Sequence, residues 1–408
     1  MPNRFLMLTL WLSVWCADAA AAGKNVLLLI SDNHNWHDVG CYGNDIVKTP
    51  HIDRLAAEGV RFRNAFATTA SCGPSRAVMY TGLLTHANGQ YAHPHREHNQ
   101  QLRDEVVSVF EMLKDNGYRT ALIGKDHIRP LEKYPIDFKP SASSYDVVSM
   151  AQAAQIFLQD TSQPFFLVMS YHDPHPTSRD GSGWGIRRQT SGYEPVTYNP
   201  KSIPVPGFLP DTPDVRESLA GYYQQISRLD HGIGLMMKAL RDSGQADQTL
   251  VIFYSDHGTS EPGAMANHYE PGVHVPFIVR KPGGPAGTVN DNMVAFTDLT
   301  PTILDWTNTT FQKYPLHGRS LLPILNTPTA EGWDKVLLSH VGHDVYANYP
   351  MRTLRERRYK LIWNVTWQAE YPLPIDTFER RLWSTVRRDA LTHLGPRTVD
   401  AFLHRPIL

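Results

Sequence analysis

Four short stretches of uninterrupted apolar residues set the terms for this chain: NVLLLIS from Asn25, TALI from Thr120, PFFLVMS from Pro164 and TLVIFYS from Thr249. A strand with one wet face alternates apolar and polar positions. Runs that stay apolar throughout read instead as strands buried on both faces, the pattern of a parallel sheet held between helices. Helical segments fall between them, at 49–59, 108–117, 150–158, 214–244 and after Asp298. The alternation predicts an α/β fold with a large, mainly parallel central sheet flanked by helices. Each run ends in polar groups: Asp32 and Asn33; Lys125 and His127; His172, Asp173 and His175; Asp256 and His257. Ligands bind outside the carboxyl ends of the strands in such sheets, so these four ends are expected to build one site.

A fifth stretch supplies a reactive side chain. In SCGPSRAVMYTG (residues 71–82) Pro74 suits the first turn of a helix, the apolar residues continue it and Gly82 stops it. Cys72 is thus expected just ahead of a helix N-terminus, where free N–H groups and the helix dipole favour negative charge. Arg76, one turn in, adds a fixed cation. A sulfur side chain beside a pocket for an anion is a chemical arrangement; a buried cysteine is otherwise a small hydrophobe.

Asp32, Asn33, Asp256 and His257 offer oxygen donors and one imidazole, a set suited to Ca²⁺ or Mg²⁺ with room for Mn²⁺ or Zn²⁺. Lys125, His127 and His172 can hold the oxygens of a tetrahedral anion and protonate a leaving group. His86, His93, His95 and His98 form a further histidine group in a loop; such a cluster could suggest a second metal, but it reads mostly as solvated loop with some substrate contact. Residues 176–213, rich in Gly, Pro and Ser with Arg187 and Arg188 inside, read as a lid or an excursion.

With a net charge of −1 over 408 residues, no global basic field points to nucleic acid or an anionic membrane, so an anionic substrate has to meet a local cluster. Residues 1–22 read as a secretory signal: Arg4, a short apolar core, then small residues. The core is too short to span a membrane. Export is therefore expected, to the periplasm or outside the cell, or to the lysosome of a eukaryote. Cys41 and Cys72 are the cysteines left after the signal. They could pair, but a staple would waste the helix-start setting of Cys72.

Cys72-x-Pro74-x-Arg76, together with NVLLLISDN, TPHIDRLAAEGVRFRNAFAT, GKDH, HDPH, VIFYSDHG and YEPGVHVPFIV in this order, resembles the type I sulfatases of the alkaline phosphatase-like superfamily. HGRSLLPIL and YPMRTLRERRYKLIWN extend the resemblance to its sulfamidase branch, which acts on N-sulfoglucosamine of heparan-type glycans. The resemblance implies a catalytic domain at 24–328, followed by a smaller C-terminal α+β subdomain at 329–408, incomplete because the chain ends at RPIL. It implies that a maturation enzyme oxidises Cys72 to formylglycine, whose hydrate attacks sulfur and whose second hydroxyl then lets sulfate leave. Asp32, Asn33, Asp256, His257 and residue 72 would bind the divalent cation, usually Ca²⁺. Arg76, Lys125 and His127 would stabilise the formylglycine and sulfate, with His172 facing the leaving group, and His175, His343 and Arg352 would meet the sugar. A homodimer is compatible with this reading. Two positions depart from the family pattern: Asn33 replaces a second aspartate, and Met265 stands where a lysine or arginine is usual. They keep open a weakened, glycan-binding homologue, and the scaffold itself keeps open a phosphodiesterase or phosphonate hydrolase.

Overall fold

A computed structural model describes residues 24–160, 162–176 and 192–408. The expected signal, Arg187 and Arg188 lie outside the described residues. Seven strands form the main sheet: β1 (Asn25–Ser31), β2 (Val60–Phe66), β3 (Arg119–Gly124), β4 (Phe165–Ser170), β5 (Thr249–Ser255), β6 (Phe277–Arg280) and β7 (Thr288–Ala295). Their order is β3-β4-β1-β5-β6-β2-β7. All neighbours pair in parallel except β6, which runs antiparallel to both β5 and β2. The four apolar runs are thus the four contiguous strands β3-β4-β1-β5.

Each face of the sheet owns alternate side chains, as the two-residue repeat of a strand requires. Val26, Leu28 and Ile30 of β1 pack with Ile252, Tyr254 and Val168 under the helices Cys72–Thr81 and Leu299–Thr307, through Met79, Tyr80, Leu299 and Ile303. Leu27 and Leu29 pack on the other face with Val251, Phe253 and Leu167 under the helices Val147–Leu158 and Pro213–Asp242, through Met150, Phe157, Leu229 and Met236. Both faces are dry, so the middle of each of these strands is apolar and polar residues are confined to its ends.

Two strands escaped the sequence reading. VRFRNAF of β2 carries Arg61, Arg63 and Asn64 between its apolar positions and so lacks a continuous apolar run, and Thr288–Ala295 is polar enough to pass for a loop. In β7 the buried Asn290 and Asn292 amides are satisfied by the Ile324 and Thr327 carbonyls, so local polarity hides a core strand. After the main sheet, β8 (Lys335–Gly342), β9 (Asn348–Glu356) and β10 (Lys360–Asn364) form a separate antiparallel sheet in the order β10-β9-β8. No helix among the described residues is long and apolar enough to cross a membrane.

Candidate active site

The chain segments leaving β1, β3, β4 and β5 meet the start of the helix Cys72–Thr81. That helix begins at Cys72 itself, one residue earlier than expected, with Ser71 in extended conformation before it. Gly82 ends it in the left-handed region (φ 67°), a conformation that glycine adopts without strain. All ten helix residues are buried, so the N-terminal N–H groups and the sulfur face the polar strand ends rather than bulk water.

Cys72 Sγ lies 3.6 Å from Asp32 Oδ1 and 3.2 Å from His257 Nε2. One ligand atom each from Asp32, Cys72, Asp256 and His257 falls within 4.8 Å of the others. Asp256 Oδ1 accepts the backbone N–H groups of Asn33 (3.2 Å) and His257 (2.9 Å), which holds the β1 and β5 ends together. Asn33 takes a left-handed φ of 67°, and both atoms of its buried amide lack a hydrogen-bond partner. A buried amide oxygen left this way costs roughly 1–3 kcal/mol unless something accepts its lone pairs. The set of two carboxylates, one amide and one imidazole beside residue 72 fits a hard divalent cation with oxygen-dominated coordination.

Two cations close the other side. Arg76 donates to Asp256 Oδ2 from Nη2 (3.0 Å) and Nε (3.2 Å), and to Ser170 Oγ from Nη1 (2.6 Å). Lys125 forms a buried ion pair with Asp32. Burial alone would lift Asp32, but Lys125, His175, His172 and Arg76 hold it well below the usual carboxylate range. Burial and the neighbouring Asp32 carboxylate push the Cys72 thiol well up, so the unmodified side chain is a neutral thiol. Burial likewise drives His127 and His172 well below their ordinary values, with the Lys125 ammonium nearby adding to the effect.

The remaining expected residues divide. His172 and His175 stack edge to face (4.7 Å) and bring ring nitrogens within 4.8 Å of an Asp32 oxygen. Their neighbour Asp173 turns away into a bidentate, fully buried pair with Arg228 (2.7 and 2.6 Å), so it serves the scaffold rather than the site. His343 is buried with Nδ1 2.9 Å from Ser71 Oγ and Nε2 3.4 Å from Asp376 Oδ2. Arg352 stands apart, donating to the His340 and Met351 carbonyls of β8 and β9. Met265 is 1% exposed and its neighbour Ala266 bonds Ala70 O, so this segment reaches the site but brings no cation from position 265. Cys41 and Cys72 are both free thiols, so the disulfide alternative falls.

His93 corrects the solvated-loop reading, while His95 and His98 are partly buried beside it. His93 is 3% exposed and contacts His343 (Nε2 to Nε2, 3.1 Å), and its ring packs against His95 and His127. The segment is polar because it faces the site, not because it faces water. His86 does lie elsewhere, bonded to Ser339. Asp376, Arg380 and Ser71 were not singled out from sequence, and nothing local marks them; Asp376 comes to the site from a short helix over 300 residues after Cys72.

Comparison with known proteins follows the same lines. Residues 24–309 match the family model described as Sulfatase, and residues 265–376 match that of the N-sulphoglucosamine sulphohydrolase C-terminal region. The chain is 36% identical to human N-sulphoglucosamine sulphohydrolase over 387 residues, covering 88% of this chain and 76% of that protein. It is 28% identical to an ulvan-active sulfatase of Formosa agariphila, covering 85% and 67%. Its fold is similar to the phosphonate monoester hydrolase of Agrobacterium radiobacter (TM-score 0.69, 21% identity, 84% and 87% covered). It is also similar to a protein solved with its substrate D-glucosamine-2-N,6-O-disulfate (TM-score 0.67, 21% identity, 84% and 89% covered).

Proposed function

This chain belongs to the sulfatase family, and from that premise we propose that it hydrolyses the N-sulfate of a glucosamine unit in a heparan-type glycan, with residue 72 as nucleophile. The observation that carries the reading is the placement of Cys72 at a helix N-terminus, 3.6 Å from Asp32 and 3.2 Å from His257. Oxidised to formylglycine, residue 72 supplies a hydrated aldehyde with one hydroxyl to attack sulfur and a second to release sulfate. A divalent cation, Ca²⁺ by donor type, would be held by Asp32, Asn33, Asp256, His257 and residue 72 and would lower the cost of negative charge there.

The chain's own residues set the rest. The charges of Asp32 and Asp256 are balanced by Lys125 and Arg76, so any bound cation leaves the pocket net positive and selective for an anion. Arg76 is locked by Asp256 and Ser170 and presents its charge without reorganisation, which is where electrostatic stabilisation is greatest. Lys125 and His127, on the segment after β3, face the sulfate oxygens. His172 is neutral in the buried pocket; an entering sulfate raises its proton affinity and makes it the donor to the departing amine. His175 and His343 line the side from which the sugar enters, while Arg352 would reach it only by leaving its carbonyl partners. We also propose that residues 1–22 direct export, that 24–328 is the catalytic unit and that 329–408 closes one side of the pocket through His343 and Asp376.

The test is direct. Protein from a host with the formylglycine-generating enzyme is analysed by mass spectrometry at residue 72. It is then assayed for free sulfate with N-sulfoglucosamine and a 6-O-sulfated glucosamine, and for phenol release with an aryl phosphonate monoester. Sulfate release from the N-sulfated sugar, abolished in Cys72→Ala, is the expected result. An aldehyde at residue 72 with no sulfate released from any sulfated sugar overturns the proposal, and preference for the phosphonate ester redirects it.

A further inference from the structure

The histidine group beside the pocket has a geometry that catalysis at residue 72 leaves unexplained. The rings of His93 and His95 lie 4.9 Å apart, those of His95 and His127 4.9 Å, and those of His93 and His127 5.4 Å. Each contributes one ring nitrogen to a set that falls within 4.8 Å. The Nδ1 atoms of His93 and His127 are buried and have no hydrogen-bond partner. No carboxylate belongs to this triplet.

Three imidazoles at this spacing cannot all be protonated, because like charges about 5 Å apart in a buried setting repel strongly. Burial, with the neighbouring His343 and Lys125, in fact keeps His93 and His127 neutral. Neutral rings keep a lone pair each, and three ring nitrogens this close together can share one cation. A nitrogen-only donor set disfavours Ca²⁺ and Mg²⁺, which take oxygen, and suits Zn²⁺, Co²⁺, Ni²⁺ or Cu²⁺. The surroundings also orient the His93 ring through its second nitrogen, as metal-ligating histidines are usually oriented. His93 Nε2 meets His343 Nε2 at 3.1 Å, and His343 in turn meets the Asp376 carboxylate at 3.4 Å. That leaves Nδ1 as the free atom of His93.

We propose that His93, His95 and His127 form a second metal site, selective for borderline transition-metal dications and separate from the oxygen-rich site at Asp32 and Asp256. Three protein ligands leave an open coordination position, and small ring rotations bring the nitrogens to the roughly 2.0–2.1 Å bond length of an imidazole–zinc site. His127 belongs both to this triplet and to the sulfate pocket. A metal that takes its lone pair fixes the ring and removes it from the sulfate oxygens, so occupancy inhibits turnover. This last consequence rests on the proposed sulfatase reading; the binding itself does not.

The experiment titrates the full-length protein, held in excess Ca²⁺, with Co²⁺ followed by visible absorption, with stoichiometry from equilibrium dialysis. One Co²⁺ per chain that Ca²⁺ does not displace is expected, weakened at least tenfold in both His95→Ala and His93→Gln and unchanged in His86→Ala. Circular dichroism establishes that each variant is folded, and half-exposed His95 is the variant least able to disturb the core. No Ca²⁺-resistant Co²⁺ binding, or binding that neither variant weakens, overturns the proposal. In parallel, Zn²⁺ should inhibit sulfate release in the parent, and His95→Ala should need at least tenfold more Zn²⁺ for the same fractional inhibition; equal sensitivity overturns the inhibitory role. If no sulfated substrate is turned over, the Co²⁺ measurement still decides the site.

Discussion

Asn33 shows how much one atom matters at this site. Its amide is buried without a partner next to two carboxylates, so it can serve a cation as a neutral oxygen. Asn33→Asp adds a negative charge to the same position, and Ca²⁺ affinity follows ligand charge. We expect Asn33→Asp to tighten Ca²⁺ binding by about tenfold or more, read by calorimetry; unchanged affinity would place residue 33 outside the coordination sphere. Arg228 illustrates a different duty. It is buried against Asp173 with two short hydrogen bonds, and removing it strands a carboxylate in the core. Arg228→Ala should cost about 3–5 kcal/mol in denaturant unfolding. In the double variant Arg228→Met/Asp173→Leu, an apolar pair of similar volume should recover most of that loss.

At the level of elements, the site depends on how strands end. Gly124 closes β3 with φ 101°, and a Cβ there would sit 2.2 Å from Ser170 O. The next residue, Lys125, donates its backbone N–H to that same carbonyl (2.8 Å). Gly124→Ala should therefore push Lys125 away from Asp32, lowering kcat while costing about 1–3 kcal/mol of stability. A variant with lost stability but an unaltered kcat would show that the pinch does not aim Lys125. The helix Pro50–Ala57 has no capping side chain of its own; Asp230, from the helix Pro213–Asp242, accepts the N–H groups of His51 (3.0 Å) and Ile52 (2.8 Å) instead. Burial lifts this carboxyl to about 7. Unfolded, it titrates near 3.9. Between those values the folded chain binds more proton than the unfolded one, so this group's contribution to stability falls as pH rises from about 4 to 7. Asp230→Asn keeps an acceptor and removes that slope. Its Tm relative to the parent should rise with pH across the window and level off above it.

For the molecule as a whole, the proposed cation site ties the ends of the adjacent strands β1 and β5 to the Cys72 helix, so metal and fold are expected to be linked. Chelation should lower Tm, and Ca²⁺ at a hundredfold over Kd should restore about 2.7 kcal/mol. The fully dry strands and their polar ends were legible from sequence because burial on both faces keeps the middle of each strand apolar and leaves polar residues to its ends. The Cys72 segment was legible because its chemistry is packed into a few consecutive residues. Strands β2 and β7 were not, since β2 interrupts its apolar positions with Arg61, Arg63 and Asn64 and β7 hides buried asparagines whose partners lie over 30 residues away. Sequence alone therefore determined the α/β class, the strand ends that meet and the residues around Cys72, all consequences of local pattern. Tertiary structure alone decided that β3, β4, β1 and β5 are neighbours. It also sent Asp173 to Arg228, and it gathered His93, His95, His127, His343 and Asp376 at one place. Those outcomes depend on contacts between residues far apart in the chain, and no local periodicity encodes which distant side chain will fill a buried vacancy.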